Sequence, residues 1–301
     1  MAVYNGVNVL SITSQHVMKI SVVHLIFLVC LIASQLTLRA QEIVLFGTHE
    51  NDYKSLALKL AFSKLPNKTY VIRNFSGDFP KRRAFERMHL KQGIDVIFGG
   101  TNVEREAEYL PVRFPMLRGL NGWRIALVHK DNANIFSNIS TVEELATLRA
   151  GLFHDWSDTA VMESNDIPVV KASHYNALYN MLDKKRFDYF PRSVLEIDND
   201  YEQYKHLDIA INKTLLIHYP TAYYFFVAKH NQSLAADIEL GLSRAYADGS
   251  LTQLFMQYYG DVIEKYTLED ANIIRLKNAF LPKATPLDRS EFWIDLEHQS
   301  N

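Results

Sequence analysis

Ile94-Asp95-Val96-Ile97-Phe98-Gly99-Gly100-Thr101 reads as a short buried strand that closes on a glycine pair. Outward from it the same rhythm recurs in both directions. Upstream, Ile43–Gly47 is another apolar run ending in glycine, and Thr69–Phe75 alternates as a strand does. Between them, Lys54–Leu65 sets Leu56 with Leu60, and Leu58 with Ala61 and Leu65, at helical spacing. Lys81–Gln92 is a charged helix with Phe85, Met88 and His89 on one side. Downstream, Arg124–His129, Ala150–Phe153 and Phe187–Phe190 read as strands. Helices are expected over Val142–Arg149, from Ser157, and over His174–Leu182. The aromatic Thr221–Ala228 reads as a buried strand that returns the chain to the first sheet. Leu234, Ile238, Leu242 and Ala245 then form one helical stripe, and Leu251, Leu254, Phe255 and Tyr258 another. Gly249 stands between them as a C-cap and Ser250 as the next N-cap. Strands alternating with helices predict an α/β chain built on parallel sheet with helices on both faces.

The amino terminus has a different character. After Met18-Lys19 an apolar run extends from Ile20 to Leu38, and Arg39-Ala40-Gln41 follows. One positive charge, an apolar stretch and a small residue at the exit describe a secretory signal peptide over residues 1–40, with Met18 as an alternative start. The run is also long enough for an uncleaved anchor, but His24, Ser34, Gln35 and Thr37 interrupt it. Cys30, the single cysteine, lies inside this segment and follows Val29, where a lipoprotein needs a small residue. The mature chain therefore offers neither disulfide nor thiolate ligand. Loss of Lys19 and Arg39, with no acid in residues 1–40, takes the formal charge from −2 to −4. No basic stripe points to nucleic acid, and no repeat or low-complexity linker appears. Asn67, Asn74, Asn138, Asn212 and Asn231 begin glycosylation-like triplets that an asparagine-rich sequence produces by chance.

The order of three segments carries a family resemblance. Ile94-Asp95-Val96-Ile97-Phe98-Gly99-Gly100-Thr101 is followed by Arg105 and then by Tyr109-Leu110-Pro111-Val112-Arg113-Phe114-Pro115. Leu148-Arg149-Ala150-Gly151 precedes Ser157-Asp158-Thr159, and Leu234–Gly260 has a helix, Asp-Gly-Ser, helix, Tyr-Gly ending. Across roughly residues 42–262 this resembles the bacterial extracellular solute-binding proteins of the amino-acid-binding type, a type II periplasmic binding fold. The tail from Asn278 through Trp293 looks like an extension of divergent members. The resemblance implies two α/β lobes joined by two crossover strands, with residues 42–125 and 222–301 in lobe 1 and 126–221 in lobe 2. It further implies a monomer in the periplasm or secreted. Such a protein takes a small-molecule ligand in the cleft, needs no cofactor, and passes its ligand to an ABC permease or signals to a membrane sensor.

In that family an arginine at the position of Arg105 forks onto the ligand carboxylate, a task suited to two parallel guanidinium donors. The plainer account makes Glu104-Arg105-Glu106 a solvated charge run. Thr101 would sit at the cleft edge or simply cap a helix. Ser157 and Thr159 open a helix whose free N–H groups suit an anion, or they cap it and no more. Trp156 would stack on the ligand or pack beneath the helix. Tyr53 closes the front loop Gly47–Tyr53, where the family often has an aromatic-Pro-Pro-Phe run. In amino-acid-binding relatives an aspartate follows the strand equivalent to Phe187–Phe190 and meets the ligand ammonium. Here Pro191-Arg192 stands there, so two arginines, Arg105 and Arg192, are expected to converge on an anionic ligand. Asp188 alternates with apolar neighbours and points elsewhere.

His49, Glu50 and Asp52 suit a turn better than a metal site, and no hydrolase, zinc-protease or phosphate-loop motif occurs. The resemblance therefore implies a binding protein with no catalytic residue. The rival is an enzyme on the same fold, of the cyclohexadienyl dehydratase type, with Glu50 or Asp158 as its acid; fold alone does not decide between them.

Overall fold

The computed structural model describes residues 40–297, apart from Thr48, Ser76 and Asp78. Residues 1–39 of the expected signal segment lie outside the described residues, and none of the described helices is long and apolar enough to cross a membrane.

Two sheets organise the chain. The first holds β1 (Gln41–Phe46), β2 (Tyr70–Phe75), β3 (Val96–Gly100), β4 (Tyr109–Val112) and β10 (Tyr223–Ala228), in the order β2-β1-β3-β10-β4. β1 runs parallel to β2 and β3, with Leu45 opposite Val96, while β10 is antiparallel to β3 and β4. Asp95 fixes this register. Its backbone N–H donates to the Val44 carbonyl at 3.0 Å, and its carboxylate accepts from Val44 N–H at 2.8 Å. The aromatic strand expected to rejoin the first sheet thus does so.

The second sheet holds β5 (Trp123–His129), β6 (Ala150–Phe153), β7 (Val169–Ala172), β8 (Tyr189–Ser193), β9 (Ile209–His218) and β11 (Asn272–Arg275). Their order is β11-β9-β5-β8-β6-β7, with β6 parallel to both β7 and β8.

Helices cover the faces because each strand has apolar residues on both sides. α1 (Tyr53–Ser63) buries Ala57, Leu58 and Ala61 beside α8 (Gln232–Ala247), which buries Ile238, Leu242 and Ala245. Gly241 makes this contact possible, since a Cβ there would come 2.2 Å from the Ala61 carbonyl oxygen. α2 (Lys81–His89) sets Phe85 and Met88 against Ile97, Tyr224 and Phe226 on the opposite face. The short α3 (Val103–Glu108) leads into β4; α4 (Val142–Leu145), α5 (Ser157–Glu163), α6 (Ala177–Asp183) and α7 (Ile197–Tyr204) serve the second sheet. α9 (Ser250–Tyr266) returns beside α1.

Two segments join a strand of one sheet directly to a strand of the other, residues 113–122 from β4 to β5 and 219–222 from β9 to β10, and the chain crosses again through α8 and α9 on its way to β11. The two direct segments touch each other, for Tyr219 N–H donates to the Gly122 carbonyl at 3.2 Å.

The tail departs from the expected lobe boundaries. β11 pairs in parallel with β9, so residues 272–275 extend the second sheet, where the sequence reading had placed 222–301 with the first. The chain then lies across the crossovers. Asn278 donates to the Pro220 carbonyl at 2.9 Å, Ile294 N–H donates to the Arg118 carbonyl at 2.8 Å, and Trp123 Nε1 donates to the Ile294 carbonyl at 3.1 Å. Trp123–Ile125 likewise belong to the second sheet.

His218, at the end of β9, packs on Trp123 with ring centroids 4.3 Å apart and faces Arg275 of β11 at 3.5 Å. Burial, then the Arg275 charge, hold its pKa down to about 4. The unfolded chain takes up this proton near the ordinary pKa of about 6.5 and the folded chain only near 4. Its share of stability is therefore complete above the unfolded value and is lost as pH falls through that window. Urea midpoints at pH 7.5 and 5.0 should differ less in His218→Gln than in the parent; an equal difference would remove His218 as a cause.

Candidate functional site

Each sheet contains three parallel strands in the spatial order second, first, third: β2-β1-β3 in one and β7-β6-β8 in the other. In such an order the connections that leave the first and third strands run in opposite directions. A crevice then opens beyond the carboxyl ends of the first and third strands, where open α/β sheets bind ligands.

In the first sheet this edge carries Gly47 after β1 and Gly100-Thr101 after β3. Arg105 lies on α3 just beyond. Its backbone N–H donates to Asn102 Oδ1 at 2.7 Å, which caps the helix. Its guanidinium donates to the Gly100 carbonyl and sits 4.9 Å over the Phe85 ring. Burial lowers the Arg105 pKa, against the opposing pull of Tyr223, Tyr109 and Glu104. Among the described residues no carboxylate forms an ion pair with it. Thr101 stands beside it, half-buried, its N–H donating to the Ala222 carbonyl at 2.9 Å and its hydroxyl to Glu106 at 2.7 Å. Tyr223 of β10 lies against Gly100, where a Cβ would meet its ring at 3.3 Å, and its hydroxyl accepts from Asn121 at 3.1 Å. Burial first, and the Asp158 charge second, push the Tyr223 phenol up to about 12; Arg124, Glu196 and Arg105 act on it as well. Tyr223 therefore ties the end of β3 to the crossover segment that carries Asn121.

In the second sheet the edge carries Trp156-Ser157-Asp158 after β6 and Arg192-Ser193 at the end of β8. Asp158 forms an ion pair with Arg124 of β5 and accepts from the Tyr219 hydroxyl. Arg124 is 5% exposed, and its guanidinium carbon lies 5.4 Å over the Tyr219 ring. Burial works against its charge, but Asp158 and Tyr219 outweigh burial and raise its pKa. Its Nε is buried without a hydrogen-bond partner. The sequence reading missed this arginine because its partners come from remote elements.

The structure corrects three expectations. Tyr53 is a core residue: only 4% exposed, it donates its hydroxyl to the Met116 carbonyl at 3.0 Å and packs on Phe255 and Tyr259. Thr159 is also buried and donates its hydroxyl to the Phe153 carbonyl at 2.8 Å, which fastens the helix start to the end of β6 and leaves no donor over. Arg192 is not the free second cation of an anion clamp. Its Nε lies 2.5 Å from Asp200 and its Nη2 2.8 Å from Glu196, with Tyr175 accepting a further bond at 3.2 Å. Burial opposes the Arg192 charge, yet Glu196 and Asp200 raise its pKa. Trp156 is half-buried, stacks on Phe190 and has the Arg192 guanidinium 4.9 Å from its ring, so it belongs to this cluster. Ser157 is exposed at the start of α5. The structure thus brings Arg105 and Thr101 to one edge, and Trp156, Ser157 and Arg192 to the other. No group of three or more His, Cys, Asp or Glu suited to a metal occurs among the described residues.

Neither a protein-family model nor a curated protein sequence matches the chain. Solved structures do. A probable amino-acid ABC transporter extracellular-binding protein of Bacillus subtilis is 18% identical and aligns over 74% of this chain and 100% of its own, with a TM-score of 0.53. The chain has the fold of the two-lobed solute-binding proteins. An ancestral arginine-binding protein bound to arginine shares that fold at 16% identity, over 74% of this chain and 100% of its own, with a TM-score of 0.51. So does the VFT2 domain of BvgS from Bordetella pertussis, at 12% identity over 73% and 93%, with a TM-score of 0.53. The solute-binding fold accounts for the paired crevices, one at the edge of each sheet.

Proposed function

We propose that this chain is an exported solute-binding protein that closes its two lobes on a small solute bearing an anionic group and presents it to an ABC permease. One observation carries the reading. The first-lobe switch-point edge, where Tyr223 packs on Gly100 and accepts from Asn121 of the crossover, offers Arg105, whose guanidinium has no carboxylate partner among the described residues. The solved structures of the same fold named above include an amino-acid ABC transporter's binding protein and an arginine-binding protein, which fits a transport role. Of the two acids that the enzyme reading names, Asp158 is held by Arg124 and Tyr219, while Glu50 lies exposed on the loop before α1. We read the chain as a binder with no catalytic residue, working outside the cytoplasm after loss of its leader.

The test is a thermal-shift screen of the leaderless chain against amino acids, dicarboxylates and organic phosphates, followed by calorimetry of the best ligand. Arg105→Ala should weaken that ligand at least about tenfold, because a charge-assisted hydrogen bond contributes about 1.5–3 kcal/mol and ~1.4 kcal/mol is one decade. Unchanged affinity, or a preference for cationic solutes, would reject the anion site. Conversion of a bound solute to product would reject the binding-only reading.

A further inference from the structure

Three cations come to the first-lobe edge, and among the described residues one acid, Asp52, forms an ion pair with any of them. β1, β2 and β3 are parallel neighbours, so the segments following their carboxyl ends emerge on one side. Each of those segments delivers one cation: Lys54 near the start of α1, Lys81 as the first residue of α2, and Arg105 on α3. The Lys54 ammonium lies 3.5 Å from the Gly47 carbonyl at the end of β1 and 5.8 Å over the Phe98 ring of β3, which places it across the switch point. Its ion-pair partner among the described residues is Asp52, at 4.0 Å. Neither Lys81 nor Arg105 has an anionic partner among the described residues. Lys81 is solvent-exposed yet has enough protein around it for burial, followed by repulsion from Lys54 and Arg105, to lower its pKa to about 8. Burial lowers the Lys54 pKa as well, against the attraction of Asp52. Like charges gathered without counter-charges cost stability, and an anion placed between them relieves that cost.

The opposite edge has the reverse balance. Arg124 and Arg192 are matched by Asp158, Asp200 and Glu196, and Glu196 keeps 46% of its side chain exposed.

We propose that Lys54, Lys81 and Arg105 form one site for a doubly charged anionic group, so that the solute carries either a phosphoryl group or two adjacent carboxylates at its first-lobe end. The proposal rests on the solute-binding reading and narrows its ligand class. Arg105 supplies the fork, and the two ammonium groups supply point charges that suit tetrahedral or paired oxygens. Glu196, half-exposed beside Arg192 on the opposite edge, would favour a donor or an ammonium at the other end of the solute.

The experiment uses the leaderless chain and four probes: O-phosphoserine and serine, succinate and butyrate. Calorimetric titration should show a doubly charged probe binding at least about tenfold tighter than its singly charged or neutral counterpart. The phosphoserine-to-serine ratio set against the succinate-to-butyrate ratio identifies which dianion is meant. Lys54→Met and Lys81→Met should each weaken the dianion about tenfold, one charge-assisted contact each, and affect the singly charged or neutral probe less than about threefold. Arg82→Ala, an exposed residue on the same helix paired only with Glu86, should change neither. Circular dichroism melts of each variant separate lost folding from lost binding. Equal affinity for dianion and counterpart, or lysine variants that bind the dianion unchanged, would overturn the dianion site while leaving a solute-binding protein in place. If no small solute of any charge shifts the melting temperature, the solute-binding reading itself falls.

Discussion

Arg124→Ala should lower folding stability by about 3–5 kcal/mol, a larger loss than any surface ion pair of this chain could produce. The reason is the carboxylate left behind. Asp158 keeps 17% of its side chain exposed and Arg124 only 6%, so the pair sits where water replaces the lost guanidinium poorly. The Tyr219 hydroxyl still donates to Asp158 in the variant, but a neutral donor does not cancel a buried negative charge. Arg124 also fills space over the Tyr219 ring, so the substitution removes apolar contact as well as charge. The double variant Arg124→Met with Asp158→Leu separates these terms. Removing both charges should restore most of the loss, because an apolar pair of similar volume often matches a buried ion pair. Denaturant midpoints for Arg124→Met, Asp158→Leu and the double variant close the cycle. A single-variant loss below about 1 kcal/mol would mean that Asp158 is well hydrated and the cluster is open to solvent.

The cluster also shows what the sequence could not say. Arg124, Asp158 and Tyr219 stand on three elements, with Asp158 and Tyr219 61 residues apart, and no local pattern links them. The first-lobe edge was legible for the opposite reason. Val96–Phe98 ends on Gly99-Gly100 within a few residues of Thr101 and Arg105, so strand, turn and cation share one local segment. Arg192 was read as a free cation because its partners Glu196 and Asp200 sit on the next helix, where they pass for ordinary acids of a solvated face. Tyr53 and Thr159 were misread in one way: each hydroxyl is consumed by a backbone carbonyl, which residue type alone does not reveal. Lys54 and Lys81 each open a separate helical stretch, and nothing local marks them as neighbours; the parallel order of β1, β2 and β3 brings them to the same edge. Among the strands, β3, β6 and β10 are compact apolar runs. β9 is the longest strand of the second sheet and went unseen. Asn212, Lys213 and Thr214 interrupt its apolar residues, and its pairing with β5 shifts register after Ile125. β11 has four residues, and its partner lies far back in the chain; only tertiary packing makes it a strand.

Gly122→Ala should cost about 3 kcal/mol or more and lower the melting temperature by roughly 6–12 °C, given ~2–4 °C per kcal/mol for a chain of this size. A Cβ at this position would lie 2.1 Å from the Tyr219 carbonyl oxygen, far inside any tolerable contact. The obstacle is backbone, not the tip of a flexible side chain, so the two crossover segments themselves must separate. Separation lengthens the bond from Tyr219 N–H to the Gly122 carbonyl, now 3.2 Å, and draws Tyr219 away from Arg124 and Asp158. The tail resists the movement, because Asn278 holds Pro220 on one crossover while Ile294 and Trp293 hold Arg118 and Gly119 on the other. Strain at Gly122 is therefore shared among the hinge, the buried ion pair and the tail. Ligand affinity should fall with stability, since the crossovers set how the two edges face each other across the cleft. The check is a melt and a titration of the same preparation. A variant that melts within about 2 °C of the parent would show that the crossovers part freely, and that neither their contact nor the tail across them constrains the hinge.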